Sequence, residues 1–188
     1  MGKLKETLEA YQRNDPAARS KLEIFLLYNG LHATILYWLS HWCYEQKLIF
    51  IARFVSQFAK WLTGVEIHPA ATIGRRLVID HGTGIVIGET TIIGAHVKVY
   101  QGVTLGGLTT RGGQLLRGQK RHPTIEDNVT IYAGASVLGG ETVIGRDSVI
   151  GSNAFITKSI PPCTTVSMKN VELQYKERKC ENCAKAKD

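Results

Sequence analysis

The sequence predicts an α+β protein, a helical segment over residues 1–64 followed by a β-solenoid of short strands over residues 65–168. Three observations carry this. Thirteen aliphatic residues recur mostly at six-residue steps: Ile67, Ile73, Ile79, then Ile87, Ile93, Val99, Leu105, then Ile125, Ile131, Val137, and finally Ile144, Ile150, Ile156. A period of six fits neither a helix face nor simple strand alternation, but it fits a coil that sends one side chain inward per short strand and then turns a corner. Six of the thirteen are followed directly by glycine (Gly74, Gly88, Gly94, Gly106, Gly145 and Gly151), which suits a corner needing positive φ. Before Val65, by contrast, Leu31, Ile35, Trp38, Leu39 and Trp42 share helical spacing and read as core or subunit contact.

Taken in order, Asn14-Asp15-Pro16 reads as a helix start, with Asp15 able to cap and Pro16 at the first helical position. Gly30 is expected to break the next segment and Gly64 to end the last. The hexads then take over, with the helices able to cover one open end of the coil. Three slips interrupt them. The step from Ile79 to Ile87 spans Asp80-His81-Gly82-Thr83-Gly84. A long insertion separates Leu105 from Ile125 and contains a protruding loop, residues 107–123. A one-residue bulge falls at Gly139-Gly140. A long loop inside a compact repeat is usually functional. Pro161-Pro162 is expected to stop the pattern, and residues 169–188 read as a charged tail.

Composition bounds the function. At 188 residues and 44% hydrophobic content the chain is one globular domain with an appendage. No run of about 18 apolar residues is present, so no membrane span is expected, and MGKLKETLEAYQ lacks a signal-peptide core. A cytoplasmic location is therefore expected. Cys43, Cys163, Cys180 and Cys183 form no disulfide framework in that setting, and the lone CxxC lacks two further zinc ligands, so no metal is expected. The net charge of +7 raises nucleic acid as a partner, but no motif supports it. Residues 107–123 instead concentrate Arg111, Arg117, Lys120 and Arg121 without an acid, which points to a small phosphorylated ligand.

The stretch VEIHPAATIGRRLVIDHGTGIVIGETTIIGAHVKVYQGVTLGG, followed by KRHPTI, resembles serine O-acetyltransferases of the hexapeptide-repeat acyltransferase superfamily, and NDPA at 14–17 resembles their helical-domain motif. The resemblance covers residues 12 to 160. It implies a left-handed parallel β-helix with a triangular cross-section, a homotrimer with active sites between subunits, and acetyl transfer from acetyl-CoA to L-serine, the first step of cysteine biosynthesis. His81 matches the family's catalytic histidine; a neutral hydroxyl needs a base to take its proton, and histidine titrates near working pH. Glu66 matches the carboxylate that orients it, where many relatives carry Asp. It precedes His81 by fifteen residues, three short of a three-hexad turn, so the two can meet across successive coils. Asp15 and Asp80 match positions that contact the serine, and negative charge suits its ammonium. Arg121 and His122 match positions facing its carboxylate, which a guanidinium can hold bidentately. Gly106, Gly107 and Ala133 match places along the CoA arm, and Arg111 and Arg117 can meet its phosphates.

Some features depart from the family pattern. The helical region is short, which points to a trimer rather than a pair of trimers. The chain ends KAKD instead of the isoleucine that inserts into O-acetylserine sulfhydrylase, which puts that partnership in doubt. Alternatives are a hexapeptide acyltransferase for another hydroxyl (sugar, homoserine or antibiotic), a γ-type carbonic anhydrase using His68, His81, His96 or His122, and a non-catalytic scaffold. A cysteine nucleophile is a rival to direct transfer, but neither Cys43 nor Cys163 belongs to a catalytic arrangement.

Overall fold

The computed structural model describes residues 2–108 and 112–168. Four helices come first: α1 (Lys3–Asn14), α2 (Lys21–Leu27), α3 (Asn29–Glu45) and α4 (Ile49–Thr63). Asn14-Asp15-Pro16 ends a helix rather than starting one. Asp15 is the C-cap of α1 and adopts an extended conformation, φ −121° and ψ 107°, because proline disfavours the α region in the residue before it. The true start of α2 is Ser20, whose Oγ accepts the Glu23 N–H at 3.1 Å, while the Glu23 carboxylate accepts from Arg19 N–H at 3.1 Å. Gly30 does not break a helix either; the break falls at Tyr28, and Gly30 lies in the first turn of α3. α4 ends on Gly64 at φ +73°, the left-handed cap that glycine accepts without penalty.

Fourteen short strands follow: β1 (Glu66–Ile67), β2 (Thr72–Ile73), β3 (Val78–Asp80), β4 (Val86–Ile87), β5 (Ile92–Ile93), β6 (Lys98–Tyr100), β7 (Thr104–Gly106), β8 (Thr124–Ile125), β9 (Thr130–Ile131), β10 (Ser136–Leu138), β11 (Val143–Ile144), β12 (Val149–Ile150), β13 (Phe155–Ile156) and β14 (Thr165–Val166). They form three all-parallel sheets, β1-β4-β7-β10-β13, β11-β8-β5-β2 and β14-β12-β9-β6-β3. The chain visits the three sheets in turn, which makes a three-sided prism and matches the left-handed parallel β-helix expected. Each of the thirteen hexad residues falls on a strand, and twelve are at most 8% exposed; Ile73, half-buried, packs against the same core. Full burial of one such side chain stabilises by about 1.5–3 kcal/mol. The prolines do not end the coil, since Ile160 bridges to Ile144 and β14 pairs with β12.

The hexad glycines have a different cause from the one the spacing suggested. Gly74, Gly88, Gly94, Gly106, Gly145 and Gly151 are not among the positive-φ residues. They are required by the stacking of coils: a Cβ on Gly74 would stand 2.6 Å from the Gly94 carbonyl carbon, and one on Gly145 would stand 2.7 Å from the Pro161 carbonyl carbon. Among non-glycine residues positive φ falls on a column of mostly polar residues, Arg76, His96, Asn128, Asp147 and Cys163, at the corner between the second and third sheets, on His81 and Asn153 at the corner between the third and first, and on Lys47 in the helical region. Other glycines, Gly82, Gly84, Gly102 and Gly134, take it at the His81 corner.

The helices cover the first coil and satisfy its open edge, whose carbonyls would otherwise lack partners. Ser56 Oγ donates to Ile67 C=O at 2.7 Å, and Tyr37 OH to Ala71 C=O at 2.6 Å. His41 Nδ1 lies 2.7 Å from Pro69 C=O. Tyr11 OH donates to Ile79 C=O and accepts from Ile79 N–H, at 3.2 and 3.0 Å. Gly30 is what lets α3 approach: a Cβ there would overlap the Ile79 carbonyl oxygen and stand 2.7 Å from the Tyr11 hydroxyl. The backbone one residue before Asp80 is thereby fixed by the helical region.

Candidate active site

The eight-residue slip builds a projecting corner between β3 and β4. His81 opens it at φ 59°, a left-handed conformation that is uncommon outside glycine and sets the imidazole outward; its side chain is 74% exposed. A cavity of about 310 Å³ elsewhere, against α1 and α3, contains none of the expected site residues. A second, of about 290 Å³, is lined by Asp15, Tyr28, Gly30, Asp80 and His81. Three expected residues, from the end of α1 and from the slip, thus meet in one place.

Each carboxylate in this cavity is already oriented. Asp15 Oδ1 accepts the Ala17 N–H at 2.8 Å, and Oδ2 accepts the Tyr28 hydroxyl at 2.5 Å. The Tyr28 bond holds the Asp15 pKa below the ordinary carboxylate range, and the same bond pushes Tyr28 up to about 12. Asp80 Oδ2 pairs with Lys98 Nζ at 3.0 Å, and Oδ1 lies 3.8 Å from His81 Nε2. Glu66 is on the same corner, since Glu66 N–H bonds Ile85 C=O and Gly84 N–H bonds Gly64 C=O. Its carboxylate, however, is held by Lys60 at 2.6 Å, and Asp80 is the carboxylate within ion-pair distance of His81 among the described residues.

Arg121 and His122 lie elsewhere, at the end of the long insertion where it re-enters β8, the corner between the first and second sheets. Their anchor is Thr90. Its Oγ1 accepts from Arg121 N–H at 2.8 Å and from His122 N–H at 3.0 Å, which leaves its own proton for His122 Nδ1 at 2.9 Å. Thr90 N–H also donates to Nδ1, at 3.1 Å. A backbone N–H can only donate, so Nδ1 is unprotonated and the neutral ring carries its proton on Nε2. Burial, with the charge of Arg121 beside it, lowers the His122 pKa to about 4. A Cβ on Gly88 would overlap this ring. The Arg121 guanidinium pairs with Glu89, while its buried Nε has no hydrogen-bond partner. Lys120 Nζ donates to the carbonyls of Thr90, His122 and Pro123, and burial lowers its pKa.

A stability test follows from His122. Its pKa is lowered relative to the unfolded value of 6.5, so the unfolded chain takes up a proton first. Its contribution is complete above pH 6.5 and is lost as pH falls towards 4. Urea unfolding at pH 7 and pH 4.5 should show wild type losing more stability than His122→Gln over that interval. Equal losses would contradict the buried neutral ring.

The remaining candidates divide between the same two corners. Ala133 stands on the His81 edge, two coils on, and Gly106-Gly107 stand on the edge of Arg121 and His122. Arg117 is exposed in the loop after a 3₁₀ turn (Gly113–Leu116). Arg111, Cys180 and Cys183 lie outside the described residues. The four histidines weighed for zinc occupy three different edges, and among the described residues no group of three His, Cys, Asp or Glu side chains could hold a metal ion. Cys43 is buried in α3 and Cys163 is exposed at a corner remote from the cavity. Among the described residues, no single helix is long and apolar enough to cross a membrane. Sequence reasoning missed Tyr28, Thr90 and Lys98, because each acts through a partner distant along the chain.

No family model matches the chain. The serine acetyltransferase of Bacillus pumilus is 54% identical over 126 residues, which are 67% of this chain and 55% of that protein. That of Helicobacter pylori is 52% identical over 126 residues, covering 67% of this chain and 70% of that protein. The chain thus spans just over half the length of the Bacillus relative. Among solved structures, serine acetyltransferase isoform 3 of Entamoeba histolytica in complex with cysteine superposes with a TM-score of 0.85 at 38% identity, over 93% of this chain and 60% of that one. The Neisseria gonorrhoeae serine acetyltransferase in complex with serine gives 0.81 at 34% identity, over 90% and 67%. A serine acetyltransferase in complex with CoA gives 0.79 at 34% identity, over 87% and 64%.

Proposed function

Because this chain belongs to the serine acetyltransferase family, we propose that it transfers an acetyl group from acetyl-CoA to the hydroxyl of L-serine, yielding O-acetylserine and CoA. The observation that carries the reading is the cavity that unites Asp15, Asp80 and His81, a solvent-open imidazole between two oriented carboxylates. Related structures containing serine and CoA support the two substrates. The product makes this the first step of cysteine biosynthesis, and a cytoplasmic location goes with it.

In this mechanism Asp15 and Asp80 receive the ammonium of L-serine. His81 accepts the hydroxyl proton as the oxygen attacks the thioester carbonyl carbon. The tetrahedral adduct collapses with cleavage of the carbon–sulfur bond, and the imidazolium returns its proton to the departing thiolate of CoA. Glu66 orients His81 once its carboxylate turns from Lys60. Arg121, through the guanidinium donor not taken by Glu89, and His122, through Nε2–H, hold the serine carboxylate. Gly106, Gly107 and Ala133 border the CoA arm, and Arg111 and Arg117 meet its phosphates.

The two halves of this site occupy different edges of one prism, so a single copy cannot close it. A cyclic homotrimer, with the His81 edge of one subunit against the Arg121–His122 edge of the next, satisfies both halves three times over. The test is CoA release from acetyl-CoA with L-serine, L-homoserine, a galactoside or no acceptor. Release that depends on L-serine is the expected result. Release with another acceptor would keep His81 as the base and remove the roles of Asp15 and Arg121.

A further inference from the structure

If the Asp80–His81 corner binds the ammonium and supplies the base, as just proposed, a residue of the next coil governs both. Lys98 in β6 stands opposite Val78, and Tyr100 stands opposite Asp80; Lys98 is therefore the diagonal cross-strand neighbour of Asp80, within reach of a long side chain. Its ammonium meets three partners. Nζ lies 3.0 Å from Asp80 Oδ2, donates to Asn14 C=O at 3.1 Å, and sits 4.7 Å over the Tyr100 ring centroid. Tyr100 is itself stacked on Tyr132 at 4.9 Å. The Lys98 side chain is only 14% exposed. It links the residue before Asp15 to the residue before His81.

We propose that Lys98 is a positioning residue of this site, which holds the Asp80 carboxylate away from His81 and offsets part of its charge. The charged and titratable groups around His81 are Asp80 from β3, Asp15 and Tyr28 from the helical region, Glu66 from β1 with its partner Lys60 from α4, and Lys98 from β6. With Lys98 in place, Asp80 Oδ1 stays 3.8 Å from His81 Nε2, beyond hydrogen-bond length. Without it, the carboxylate is free to close on the imidazole and stabilise its protonated form.

The experiment is a site-resolved NMR titration of His81 in the full-length protein, comparing wild type, Lys98→Met, Lys98→Arg, Asp80→Asn and the Lys98→Met/Asp80→Asn pair. Lys98→Met should raise the His81 pKa by about 0.5–1 pH unit, and Lys98→Arg should restore it. The effect should vanish in the Asp80→Asn background, as coupling through Asp80 requires. The acid limb of L-serine-dependent kcat/KM should move with it, while kcat on the alkaline plateau stays within about twofold; a merely structural residue would lower the rate equally at every pH. An unchanged His81 titration in folded Lys98→Met, or a shift that persists without Asp80, would overturn the proposal. Lys98→Gln gives the same readings if the methionine variant does not fold. Wild type lacking L-serine-dependent release would refute the proposed reaction, while the His81 titration would still decide the role of Lys98.

Discussion

Replacing His81 with alanine is expected to lower kcat by about 10²–10⁴, or roughly 3–5 kcal/mol of barrier, with the fold intact. The size follows from the chemistry: a neutral hydroxyl attacks a thioester slowly unless its proton leaves as the new bond forms. The intact fold follows from the position. His81 is a projecting corner residue, 74% exposed, and it contributes nothing to the column of aliphatic side chains inside the prism. Alanine is less suited than histidine to the positive φ of this position, but the difference, about 1 kcal/mol, is confined to one exposed corner. Native circular dichroism with retained kcat would exclude His81 as the base.

The second large effect is expected at a residue with no functional group. Gly30→Ala should destabilise the protein by about 1–3 kcal/mol and disturb the cavity, although alanine is the better helix former. The new methyl would overlap the Ile79 carbonyl and press on the Tyr11 hydroxyl that bonds it. Either α3 lifts away or β3 shifts, and β3 ends in Asp80. Thermal unfolding and the KM for L-serine should therefore change together. A variant with wild-type stability and KM would show that the helical region does not position the Asp80–His81 corner.

Much of this architecture was legible in the sequence, for a definite reason. The hexad residues occupy the one environment in the prism that admits only aliphatic side chains, so their spacing reports strand positions directly. The insertion and the slip at Asp80–Gly84 show as breaks in that spacing, and the candidate site residues lie at both of these corners. Local signals misled where they were ambiguous. Asn14-Asp15-Pro16 fits a helix start as well as a helix end, and the extended conformation imposed by Pro16 decided for the end. The hexad glycines suit a positive-φ corner as well as a close approach of coils, and coil-on-coil contact is what excludes a Cβ there; a single sequence does not distinguish these causes. Lys98, Thr90 and Tyr28 were invisible because their partners Asp80, His122 and Asp15 are neighbours only after the chain coils. The division of site residues between two edges was equally hidden, since it depends on which sheet each strand joins.

Mixing subunits shows whether the His81 edge and the Arg121–His122 edge work together across a subunit boundary. His81→Ala and Arg121→Ala proteins should each be nearly inactive alone. Unfolded and reassembled together, they should form trimers in which about one site in four takes His81 from one subunit and Arg121 from its neighbour. L-serine-dependent CoA release is expected to return on mixing, to about a quarter of the wild-type level. Mixed trimers that form but remain as inactive as the separate variants would contradict a site shared between subunits.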